Sequence, residues 1–211
     1  MNQMHRIPIF LLAACLAFAA GTHAQVPLKG ENLCYNGDFS NTEDPRAGWT
    51  YNYAFAKISH YMGNHNRVEL LPTYKGYQNV LFLNGTSETK VESKPIKFEQ
   101  GVRYRCTLDI NGNTTPHIYF TGYKWNPGIR PHEDPHIGDL RRIYKSQFRG
   151  HDVKKGNNGW KRETFEFPLE DASELSLKHL RQVRFITVYI IALADFPGQV
   201  YVDNVKVERI K

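Results

Sequence analysis

What most restricts the fold of this chain is a succession of short runs rich in Val, Ile, Tyr, Phe and Thr, punctuated by Gly, Pro and Asn. Such runs cover residues 33–39, 51–60, 67–71, 78–83, 90–98, 102–110, 117–125, 160–167, 182–192 and 200–210. Several alternate with the period of two that a half-buried strand requires. Val102, Tyr104, Cys106, Leu108 and Ile110 point one way, while Arg103, Arg105, Thr107 and Asp109 point the other. This pattern favours an antiparallel β-sandwich or barrel over a parallel α/β sheet. No segment repeats at a fixed period, and the length suits one domain with its own core.

Residues 1–24 have the pattern of a secretory signal peptide. Arg6 precedes an apolar and small-residue run from Ile7 to Ala20, and Thr22-His23-Ala24 offers small residues at the cleavage positions. Cleavage is expected before Gln25, leaving residues 25–211 as a single domain. A competing reading makes Leu12-Ala13-Ala14-Cys15 a lipoprotein box, but the apolar run continues past Cys15 and favours a soluble product. No other segment is long and apolar enough for a transmembrane helix. A secreted, periplasmic or cell-surface location follows. In such a compartment Cys34 and Cys106 are expected to form a disulfide, with two buried thiols as the alternative.

Residues 124–158 interrupt the rhythm of strands. They contain Pro127, Pro131 and Pro135 and hold eight Lys or Arg against four Asp or Glu. Asp139 is placed to cap a short helix with Leu140, Ile143, Tyr144 and Phe148 on one face, ending at Gly150. Arg141, Arg142, Lys145 and Arg149 crowd its other side. The segment reads as a charged loop and short-helix insertion. Since the whole chain carries a net charge of +6, much of the basicity is local. A local basic patch on an exported protein points to an anionic glycan more readily than to nucleic acid. The alternative is a solvated loop docked by its apolar stripe.

Four short motifs then occur in a telling order. Glu31 to Phe39 followed by Gly48-Trp49 resembles the opening of carbohydrate-binding modules of the family 4, 9, 16 and 22 type. Ser93-Lys94-Pro95-Ile96 with Gly101-Val102-Arg103-Tyr104 is similar to their central turn and strand. Gly159-Trp160-Lys161 with Phe165-Glu166-Phe167 is similar to a later strand, and Val200 to Val207 to the closing one. The resemblance implies a galactose-binding-like jelly roll of two antiparallel sheets, binding sugar in a cleft across one sheet or at edge loops. It places Trp49 and Trp160 beside strand starts, as packing residues. It also implies a structural calcium site near the termini. Asp203 matches one of its carboxylates, whereas Ser40 stands where the other is expected, which leaves a poorer site for a hard cation.

Sugar binding needs flat aromatic faces for pyranose C–H surfaces and a few planar polar groups for hydroxyls. In 117–125, Ile118 and Phe120 have core parity, which turns His117, Tyr119, Thr121, Tyr123 and Trp125 to the opposite face. Tyr51 and Tyr53 form a second stripe, and Arg103, Arg105 and Asp109 a polar face able to reach hydroxyls or a carboxylate. For each group the competing reading is structural: rings buried under another layer, or a solvated face.

The best hint of catalysis is His132-Glu133-Asp134-Pro135-His136 with Asp139. Its spacing lacks the helical pairing of zinc hydrolases, and no nucleophile elbow, phosphate loop or paired-cysteine motif occurs. Three functions therefore stand open: a non-catalytic exported glycan-binding module recognising a polysaccharide or glycoconjugate, a small jelly-roll lyase or hydrolase using that loop, and an envelope or surface adhesion protein. The glycan-binding module is favoured.

Overall fold

The computed structural model describes residues 31–50, 68–84, 89–114, 116–149, 159–170, 172–192 and 198–210. The expected signal peptide, Cys15 and the Tyr51 and Tyr53 stripe lie outside them. Among the described residues eleven strands form two antiparallel sheets. Sheet A is ordered β1 (Trp49–Thr50), β4 (Thr89–Ser93), β10 (Phe185–Ala192), β7 (His117–Trp125) and β8 (Leu140–Arg149), with β5 (Ile96–Lys97) also paired to β10. Sheet B is ordered β2 (Val68–Tyr74), β3 (Tyr77–Asn84), β11 (Gln199–Ile210), β6 (Arg103–Gly112) and β9 (Lys161–Phe167).

Alternation decides what fills the space between the sheets. Val91, Ile118, Phe120, Ile186, Val188 and Ile190 of sheet A meet Leu81, Leu83, Tyr104, Leu108, Ile110, Phe167, Val200 and Val202 of sheet B. Phe120 stacks on Phe167 across the gap, ring centroids 4.9 Å apart. The parities read from 102–110 and 117–125 are the ones observed.

The opening and closing motifs meet, as the resemblance implied. Asn32 donates from Nδ2 to Val205 O at 2.9 Å and accepts at Oδ1 from the amides of Cys34 and Val207. Gly37 O accepts from Val205 N at 2.7 Å. Residues 33–39 are consequently a turn that clasps β11 rather than the strand expected from composition. Phe39 and Trp49 pack beneath this clasp, and Trp49 Nε1 donates to Asn36 O at 2.9 Å.

Two further expectations need correction. Residues 140–149 are not a helix but strand β8, paired along β7. The register slips between Gly122 and Tyr123, so Tyr123 faces Arg142 while Gly122 faces Tyr144. The extra residue, Ile143, puts two adjacent apolar side chains against the core. A bulged strand thereby gives the 3–4 spacing of an amphipathic helix. The α-helix among the described residues is α1 (Glu174–Leu180), where Ser173 accepts from Ser176 N and Lys178 and His179 occupy the last turn.

Cys34 and Cys106 are free, buried thiols, not the expected disulfide. Both pack among apolar core side chains, and burial pushes the Cys34 thiol up to about 12 and Cys106 well above its usual value. In a Cys15→Ser chain, a thiol reagent at neutral pH should find no reactive cysteine in the native state and both after unfolding without reductant. A blank after unfolding would mean that the pair is oxidised.

The clasp supplies a second expectation. A Cβ at Gly37 would lie 1.8 Å from Val205 O, whereas one at Gly101 would meet nothing within 4 Å and strain only the backbone, at φ +80°. Gly37→Ala should cost more than about 2 kcal/mol in a denaturant titration, and Gly101→Ala about 1 kcal/mol.

Candidate functional site

Strand β10 is buried along its whole length, so the outer face of sheet A is covered as well as the inner one. Cross-strand register assembles that outer face. Phe185 lies opposite Tyr123, Thr187 opposite Thr121 and Tyr189 opposite both Tyr119 and Glu92. Two aromatic groups result. Tyr123, Phe185 and Trp125 pack with Ile137 and Leu140 at one end, and Tyr119, Tyr189 and Ile191 pack together at the other.

Between them lies a polar island. Glu92, 2% exposed, accepts at Oε1 from Tyr123 OH at 2.5 Å and from Thr187 Oγ1 at 2.6 Å. Loss of hydration raises its carboxyl pKa, against the two hydroxyl bonds and the charges of Arg142 and Lys145. Tyr123 is raised too, first by burial and then by the neighbouring carboxylate. The Thr121 hydroxyl is buried with no hydrogen-bond partner among the described residues. Opposite Thr121 stands Lys145, whose ammonium lies 3.6 Å from the Tyr119 ring centroid and 5.5 Å from that of Tyr189.

The segment from Asn126 to Asp139 closes one end of this face. Asp139 Oδ2 accepts from His136 N at 2.8 Å while Gly138 N donates to His136 Nδ1, a reciprocal cap on the 3₁₀ turn Ile137–Asp139. His132 Nε2 lies 3.4 Å from Asp139 Oδ2, and Lys94 pairs with Asp134 at 2.8 Å, so the loop reaches from the end of β7 to the β4–β5 turn. It brings the His132 ring to 5.0 Å from Trp125, whose other neighbour is Phe185, edge-on at 5.3 Å. The cluster suspected of catalysis thus holds the loop shut and frames Trp125. Among the described residues no group of three or more His, Cys, Asp or Glu could hold a metal ion.

The expected binding residues divide between two faces. His117, Tyr119, Tyr123 and Trp125 do share the outer face of sheet A, but Tyr119 and Tyr123 are buried, leaving Trp125 and His117 half-exposed. His117 Nδ1 lies 3.3 Å from Tyr119 OH. Arg103, Arg105 and Asp109 are on the outer face of sheet B, at the far side of the sandwich. Arg103 pairs with Glu166 and Glu170, Arg105 with Glu166, and Asp109 takes both Nε and Nη2 of Arg162 at 2.7 Å. Arg142 was noted in the sequence only as part of a basic cluster. It is exposed opposite Tyr123 and, among the described residues, has no hydrogen-bond or ion-pair partner. Glu92 was missed altogether, because a charge in a short strand reads as a solvent-facing residue. The unbroken apolar run of β10 was the available signal that the neighbouring outer face is covered.

Asp203, expected to bind calcium, is buried on β11 and accepts at Oδ1 from Asn204 N. Its pKa rises to about 8, mainly through burial, with Asp109 and Asp38 adding to the shift.

No protein-family model matches this sequence, and no curated protein does. Solved structures share its fold. A family 16 carbohydrate-binding module aligns with 84% of this chain and 99% of its own at a TM-score of 0.51 and 13% identity. A cyclase from Fischerella sp. TAU, solved in complex with 4-(1H-indol-3-yl)butan-2-one, aligns with 84% and 96% at the same score and identity. The chain therefore has the jelly-roll fold of carbohydrate-binding modules, a fold on which both a binding module and a cyclase are built.

Asp203 gives a pH test. A carboxyl raised from 3.8 to about 8 in the folded state stabilises most below pH 3.8 and loses that contribution as pH climbs toward 8. Stability of the parent should fall across that window relative to Asp203→Asn, which should show a flatter profile in urea midpoints. Calcium held at this carboxylate would keep it ionised and reverse the slope.

Proposed function

We propose that this is an exported glycan-binding protein that takes its ligand on the outer face of sheet A, at the end framed by the Asn126–Asp139 loop. The observation that carries the reading is Trp125, a half-exposed indole fixed edge-on against Phe185 and flanked by His132, with the exposed guanidinium of Arg142 on the same face. An indole held in place offers a rigid ring for the C–H face of a sugar at little cost in side-chain freedom. Two residues along β8 from Leu140, the partner of Trp125, Arg142 is within a diagonal neighbour's reach and offers a planar fork to a carboxylate or sulfate. Lys145 adds a second positive charge further along the strand. The ligand that suits this arrangement is an acidic polysaccharide or glycoconjugate. The fold shared with a carbohydrate-binding module supports the reading, and the signal-peptide pattern of residues 1–24 supports export.

Stacking and charge separate by mutation. Trp125→Ala should weaken binding of neutral and acidic polysaccharides alike, by about 1–3 kcal/mol in calorimetry. Arg142→Ala with Lys145→Ala should leave neutral ligands unchanged and remove the salt-sensitive part of acidic-ligand binding. Parallel turnover assays on the same polysaccharides should show no product. Unchanged binding by folded Trp125→Ala would move the site elsewhere, and product lost in His132→Ala would make the protein an enzyme.

A further inference from the structure

Sheet B carries aromatic side chains on its outer face that the glycan site on sheet A does not use. The tip of the β2–β3 hairpin reaches across that face. Tyr74 stacks on Tyr201 of β11 at 3.8 Å, Tyr77 stacks on Trp160 at 4.0 Å, and Phe82 lies 4.9 Å from Tyr201. Trp160 Nε1 donates to Lys75 O at 3.2 Å, which joins the hairpin tip to the start of β9. The indole is therefore fixed by Tyr77 against one face and by a hydrogen bond at its edge, yet remains half-exposed.

Arg162, two residues on and on the same side of β9, is fixed as firmly. Its Nε and Nη2 are both engaged by Asp109, which also accepts from Asn204 Nδ2 at 2.9 Å. Nη1 has no partner among the described residues, and the side chain is 37% exposed. Two cations lie near Trp160. Arg162 is neutralised by Asp109, and Lys75 lies over the Tyr74 ring at 5.3 Å. On sheet A, by contrast, Arg142 has no hydrogen-bond or ion-pair partner among the described residues, and the nearby Glu92 carboxyl is buried.

We propose that Trp160 and Arg162 form a second sugar-binding site, on the opposite side of the sandwich, for a neutral glycan. A fixed ring with one face stacked and a guanidinium edge one residue pair away are the two elements that recognise a pyranose: a platform for its C–H face and a donor for its hydroxyls. Because the charge of Arg162 is already met by Asp109, the site favours a neutral ligand over the acidic one suited to sheet A. With the two sheets back to back, the sites face away from each other, so one molecule holds two chains. The inference takes from the proposed function only that this protein binds glycans; its location is independent of Trp125.

The test follows the Trp160 indole N–H by NMR in full-length Trp125→Ala protein, with the signal assigned by its loss in Trp160→Phe. The probes are neutral β-1,4-linked hexasaccharides of glucose, xylose, mannose and galactose, each at millimolar concentration. At least one should shift the Trp160 signal along a saturating curve. Trp160→Phe, which keeps a ring on Tyr77, should weaken that probe about tenfold in calorimetry. A Trp160 signal that stays still with every probe overturns the proposal. If the Trp125 signal of the parent moves with an acidic polysaccharide while Trp160 stays still, this site alone is lost. If neither moves with any glycan, the proposed function falls too.

Discussion

Burial of one strand on both faces governs the rest of this structure. The inner face of β10 supplies Ile186, Val188 and Ile190 to the core, and its outer face carries Phe185, Thr187, Tyr189 and Ile191. Neighbouring outward side chains on β4 and β7 are drawn from water with it. Glu92 is the sharpest case. An isolated carboxylate would not survive there, so two hydroxyls, from Tyr123 and Thr187, converge on one oxygen. The aromatic rows on either side and the cap of loop Asn126–Asp139 complete the cover. What stays open is the margin of that cover, and Trp125 is at the margin.

Much of the sandwich was legible because period-two alternation is enforced by the core. The parities of β6 and β7 and the meeting of the opening motif with the closing strand were all readable. Three things were not. β8 imitates a helix because one bulge places Ile143 beside Tyr144, and spacing alone does not distinguish the two. Outward parity left exposure and burial both open for Tyr119 and Tyr123, and both are buried. The outward residues of β6 and β7 belong to opposite faces of the molecule, because the sheet to which a strand belongs is a property of topology, not of its own pattern. By contrast, Ser173 with basic residues at 178 and 179 marked helix α1 plainly enough to have been found.

A jelly roll by itself does not separate a binder from a catalyst, as the module and the cyclase that share this fold make plain. The proposal of a binder rests instead on how the side chains are employed. His132, Asp134, His136 and Asp139 are occupied in capping and in ion pairs, and Glu92 is buried and bonded to Tyr123. By contrast, the indoles of Trp125 and Trp160 are held rigid while keeping part of their surface in water. Rigid, half-wet rings are a binder's equipment.

The clasp of Asn32 onto β11 also fixes when the molecule can fold. Its bonds join residues 173 and 175 positions apart, and β11, the last strand in chain order, stands in the middle of sheet B between β3 and β6. Neither half of that sheet can pair with the other until β11 has left the ribosome, so the nascent chain carries unpaired edges up to that point. For a chain of the exported kind proposed above, this delay is useful: a translocation channel receives a polypeptide that has not yet been able to close.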